Sequence, residues 1–172
     1  MAQLNWWLPI YDIVTEQSMA FHPHYFDVPV KNGSSEFNYY EWNSSGRKDA
    51  AKQIKADTRK QPKALEPIAA DPQLRIVPPA GGIVLFSASH LHSTVANTSG
   101  RARYSIDFRT VNLLDLKEGR SAPNLDSHCT GTSLRDFKRG SDHAEMPADV
   151  VAMYDDESSS ARENELVFAP GS

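Results

Sequence analysis

The residues from Gly81 to Arg109, GGIVLFSASHLHSTVANTSGRARYSIDFR, constrain the fold more than any other part of the chain. Ile83 to Phe86 is an apolar run too short for a helix, and it reads as a strand buried on both faces. From His90 to Ala96 the even positions are mostly polar and the odd ones mostly apolar. Asn97-Thr98-Ser99-Gly100 is a cluster of turn-forming residues. A further alternating run begins at Arg101. It puts Arg101, Arg103, Ser105, Asp107 and Arg109 on one face and Ala102, Tyr104, Ile106 and Phe108 on the other.

This pattern predicts two strands joined by a short turn. If they pair, His92 and Arg103 line one cavity. A neutral imidazole is a good ligand for iron or zinc. A guanidinium fork binds a carboxylate through two parallel hydrogen bonds. Together they suit a metal and an anionic small molecule, although a polar, solvent-facing sheet surface has the same pattern.

The arrangement Phe86-x5-His92-x4-Asn97-x5-Arg103-x-Ser105 resembles the C-terminal half of the Fe(II)/2-oxoglutarate-dependent dioxygenases, in particular the phytanoyl-CoA dioxygenase-like group. The resemblance spans about residues 79 to 110, with a looser likeness back to Asn5. It implies a non-haem oxygenase acting on a small molecule. It also implies that His92 is the last iron ligand and that Arg103 with Ser105 holds the distal carboxylate of 2-oxoglutarate. His90 paired with Arg101 is the alternative register, and Asn97 and Ser105 favour His92.

The chain departs from that family in one respect. The family draws its other two ligands from a His-x-Asp or His-x-Glu motif upstream, and none of the six histidines sits in one. Asn5-Trp6-Trp7-Leu8-Pro9-Ile10 resembles the strand that follows this motif, so the expectation is that the missing ligands precede Met1 and that the isolated chain is inactive. Two alternatives stand beside this reading. One is a cupin-like metal site built from His22, His24 and His92, despite Pro23 between the first two. The other is a non-catalytic jelly roll that binds a small acid.

A net charge of −4 with no lysine–arginine cluster argues against nucleic acid as a partner. One cysteine, Cys129, excludes an internal disulfide framework and fits a reducing compartment. Its neighbour His128 raises the idea of a thiol nucleophile, but such a pair in a polar loop is more often incidental. No run reaches transmembrane length, and the N-terminus lacks the features of a secretory signal. The expected location is cytoplasmic.

Gln3 to Tyr11 reads as a strand with Leu4, Trp6, Leu8 and Ile10 on one face, and Asn5 or Trp7 in the phase that could meet the site. Ser18 to Val30 reads as irregular, and Asn32 to Ser45 as an aromatic-rich loop. Ser45 to Lys60 is the predicted helix, capped by Ser44 or Ser45 and stopped by Pro62. Leu74 to Val77 is a short strand. Residues 117–172 form an irregular extension in which Ala148 to Tyr154 is a short predicted helix.

The predicted fold is therefore all-β: a double-stranded β-helix (jelly roll, cupin-like) with one or two peripheral helices, spanning residues 1–172 as a single, partial domain. Strands missing before Met1 would leave an open edge and an uncovered apolar face, which predicts a homodimer with the first dozen residues at its interface.

Overall fold

The chain folds around β1 (Gln3–Pro9), the middle strand of a three-stranded antiparallel sheet. The computed structural model describes residues 3–36, 38, 63–88, 90–120 and 129–155. The predicted helix from Ser45 to Lys60 and residues 37 and 39–45 of the aromatic-rich loop before it lie outside these residues. The described residues fall into two compact units. The first holds 3–30, 68–88 and 90–120, and the second 31–36, 38, 63–67 and 129–155.

In the first unit β1 pairs with β4 (Val84–Ser87) on one side and β6 (Ser105–Val111) on the other. A second antiparallel sheet has β2 (Met19–Phe21) between β3 (Leu74–Arg75) and β5 (His92–Thr94). The described structure is thus mainly strands in two antiparallel sheets, an all-β arrangement with few and short helices. Trp7, Val84 and Phe86 of the first sheet pack against Phe21 of the second, with Ile13 from the connecting segment. The rings of Phe21 and Phe86 meet edge to face at 5.0 Å. The core is therefore built where the two sheets face each other.

The pairing corrects the expected hairpin. β5 pairs with β2 and β6 with β1, so the two runs flanking Asn97–Gly100 belong to different sheets. Asn97 shapes the crossing: its amide Nδ2 donates to the carbonyl of Arg101 at 2.7 Å, and its Oδ1 accepts from the Ser99 hydroxyl at 2.6 Å. Gly100 follows with φ of 73°. The chain turns here without closing a two-strand ladder.

The run from Ile83 to Phe86 is buried on one face only. Val84 and Phe86 are buried, whereas Ile83 and Leu85 are half exposed. The same alternation runs across β1. Gln3, Asn5, Trp7 and Pro9 point inward, and the more apolar set, Leu4, Trp6, Leu8 and Ile10, points away from the core. Register continues this outer face across the sheet, with Trp6 opposite Leu85 on one side and Phe108 on the other. Trp6 and Phe108 stack nearly parallel at 5.6 Å, and the Trp6 indole N–H donates to the Thr110 hydroxyl at 2.8 Å.

β2 falls in the segment expected to be irregular. It is only three residues long, yet it is the central strand of its sheet and buries Ala20 on one face and Phe21 on the other. Helix α1 (Leu113–Lys117) follows β6; the Asn112 side chain caps it by accepting from the backbone N–H groups of Leu114 and Asp115. Its Leu116 is buried.

The second unit has little regular structure. Helix α2 (Ala148–Ala152) matches the predicted short helix and packs on the 3-10 turn at Leu134–Asp136, with Leu134 and Val150 fully buried. Arg135 pairs with Asp155, and Lys138 with Glu145 at 2.6 Å. Gly131 has φ of 68°, and a Cβ there would collide with the Asn38 side chain. Cys129 is half-buried, and His128 lies outside the described residues.

Candidate functional site

Arg103 sits just before β6, on the inward face that the alternation predicts. Its guanidinium lies over the Trp7 indole, with Cζ 5.6 Å from the ring centroid. This is the geometry of a cation–π contact, and it puts Trp7 in the phase that meets this residue. Nη1 of Arg103 donates to the backbone carbonyl of Gln17 at 3.2 Å. Among the described residues this is its only hydrogen bond, and no carboxylate pairs with it. Arg103 lines a cavity of about 190 Å3 together with Glu16, Gln17, Thr94, Val95 and Asn97. That is below the roughly 300–1,000 Å3 of pockets that enclose drug-sized ligands, and the cavity is a shallow cleft half open to solvent.

Gln17 holds the cavity wall in place. Its side chain is buried, accepts from the Val14 N–H at 3.2 Å, and donates to the carbonyls of Arg101 and Ala102. The segment before Arg103 is thereby tied to the turn at Thr15–Gln17. Nothing in the local pattern of Thr15-Glu16-Gln17 announces this role, because a single turn has no periodicity to read. Ser105, the first residue of β6, is half-buried and opposite Pro9. Arg101 is exposed.

His92 lies on β5 with its ring in the core wall. It is 4.9 Å from Phe86 and 6.0 Å from Phe21, centroid to centroid. Nδ1 is 2.7 Å from the backbone carbonyl of His90. A carbonyl can only accept, so Nδ1 carries the proton and Nε2 keeps its lone pair in the neutral ring. That is the tautomer a metal-ligating imidazole uses when its other nitrogen donates to a backbone carbonyl. His90 itself stacks on Phe26 at 4.3 Å. Burial pushes its pKa below the ordinary histidine value, and the neighbouring His92 adds to this.

The structure does not bring the three histidines of the cupin-like alternative together. His22 is opposite Leu91 in the ladder, one position out of phase with the Phe21–His92 pair, so His22 and His92 project from opposite faces of the sheet. His22 is buried and satisfied: Nδ1 donates to the Ala70 carbonyl at 3.1 Å, and Nε2 accepts from the Ser93 hydroxyl at 3.4 Å. His24 is exposed and packs edge-on against Tyr25.

The described residues also do not fit an iron centre. His92 has the right tautomer, but no group of three His, Cys, Asp or Glu side chains able to share a metal occurs among the described residues. One imidazole leaves the other coordination positions to water. No helix among them is long and apolar enough to cross a membrane.

Compared with known proteins, the sequence matches no family model, and no curated protein or solved structure is significantly similar to it.

Proposed function

We propose that the first unit is a double-stranded β-helix related to the C-terminal half of Fe(II)/2-oxoglutarate-dependent oxygenases, and that the Arg103 cavity binds a small acid such as 2-oxoglutarate. One observation carries this reading: Arg103 lies over an aromatic ring at the edge of a small cavity and is paired with no carboxylate of the described residues, although Glu16 lines the same cavity. A guanidinium placed over the Trp7 ring and held by one backbone bond keeps its remaining N–H groups for an incoming carboxylate. Ser105, two residues further along the same face, is placed by the resemblance as a second contact to that carboxylate.

Turnover is not part of this reading for the chain by itself. His92 supplies a single imidazole, and a complete metal site needs two further ligands from residues outside those described. Acid binding without catalysis is the reading that the donor set favours.

The test is calorimetric titration with 2-oxoglutarate in metal-free buffer. Saturable binding is expected, removed by Arg103→Ala and retained by Arg101→Ala. No saturable heat with the unmodified chain, or loss on Arg101→Ala alone, overturns the proposal.

A further inference from the structure

The outer face of the β4–β1–β6 sheet carries no charged residue. Its central row is Leu85, Trp6 and Phe108, and the next is Leu8 opposite Ile106. Leu4, Ile10, Ile83, Leu85, Tyr104, Ile106 and Phe108 on this face are 40–63% exposed, whereas Trp6 and Leu8 in its middle are half-buried. At roughly 150–250 Å2 for a large side chain, these fractions correspond to on the order of 700 Å2 of open apolar surface. A monomeric soluble protein rarely exposes a patch larger than about 300–600 Å2. A standard protein interface buries about 800 Å2 on each partner.

From this we propose that the face is a homodimer interface, in which two copies pack their outer sheet faces together about a two-fold axis. Three features select a second copy as the occupant. The area matches what one partner contributes to a stable dimer. The face has no lysine or arginine to hold an anionic headgroup and no charge to steer a charged peptide, whereas apolar meeting apolar is self-complementary. The Trp6 indole N–H at its centre already donates to Thr110 within the chain, so apolar contact does not strand that donor. Two such faces pack as aligned sheets about 10 Å apart, with strands near 30° to each other. Of the open edge and the uncovered apolar face expected from sequence, the interface is the face, and it is independent of the Arg103 cavity on the inner side.

Sedimentation equilibrium of the full chain from about 1 to 100 μM, with acrylamide quenching of tryptophan fluorescence, tests this. The expected result is a reversible monomer–dimer equilibrium in which quenching falls as the dimer fills, because Trp6 becomes shielded. Leu85→Lys and Ile106→Glu, both at exposed positions, should each shift the chain to monomer with an unchanged circular dichroism spectrum. A monomer with Trp6 already shielded would mean that another part of the same chain covers the face, and would overturn the proposal. So would a monomer with Trp6 open at the highest concentration, binding of that monomer to phosphatidylcholine vesicles, or a dimer indifferent to both substitutions.

Discussion

The Arg103 guanidinium lies over the face of the Trp7 indole, 5.6 Å from its centroid, and this contact joins the candidate site to the core. Trp7 is buried with Phe86 and Phe21, so the arginine's charged group rests against a residue that also holds the sheets together. Arg103→Lys keeps the charge but loses the planar fork and the stacking. Affinity for 2-oxoglutarate should fall about tenfold or more, since hydrogen bonds to charged groups contribute roughly 1.5–3 kcal/mol. Calorimetry reads this directly, and undiminished affinity would show that the fork is not used.

Glu16 lines the same cavity and is exposed. Its carboxylate opposes any anion bound at Arg103. Glu16→Gln should therefore tighten 2-oxoglutarate binding by about two- to five-fold at low salt, with the gain shrinking as salt is added. Weaker binding in this variant would indicate that Glu16 contacts the ligand as a hydrogen-bond acceptor.

The chain purified in the presence of iron should hold far less than one equivalent by elemental analysis, because His92 is a lone imidazole ligand. Stoichiometric iron that is lost on His92→Ala and kept on His22→Ala would reveal a ligand outside the described residues.

The core gives a stability prediction. Phe86→Ala removes the ring that meets both Phe21 and His92. It should cost about 3–5 kcal/mol in urea unfolding, and a loss below about 1 kcal/mol would mean that the two sheets do not share this core.

His90 supplies a pH dependence. Burial against Phe26 and the nearby His92 lower its pKa in the folded state relative to the unfolded chain. The unfolded state then binds more protons, so stability rises with pH. The contribution is complete above the unfolded value of about 6.5. It is lost as pH falls from there through the depressed folded value. The urea midpoint should drop between pH 7 and pH 5, and His90→Gln should flatten that drop. Equal slopes in the two proteins would assign it to other groups.

The sequence makes β1, β4, β5 and β6 legible as strands through alternation, and marks His92 and Arg103 through their spacing. It does not show which face of β1 is buried. Leu4, Trp6, Leu8 and Ile10 are more apolar than Gln3, Asn5, Trp7 and Pro9, yet the second set is inside. Periodicity reports the two faces of a strand, whereas the partner sheet decides which one is covered. The partnership of β5 and β6 was unreadable for a related reason. A four-residue turn between alternating runs fits a hairpin, and only long-range pairing with β1 and β2 sends the runs to different sheets. β2 was missed because three residues carry too little pattern, and Gln17 because its side chain acts through backbone carbonyls distant in sequence.

The strand pairing has a kinetic consequence. Among the described residues no two strands joined by a short connection pair with each other. β1 waits for β4 and β6, and Phe21 of β2 finds Leu74 and His92 only after the long intervening segment has been made. None of these four pairings is a local hairpin, so each requires closure of a long loop first. Such a topology folds slowly, in milliseconds to seconds rather than microseconds. During that interval the edges of β1 and its apolar outer face are open together, and refolding yield should fall as protein concentration rises.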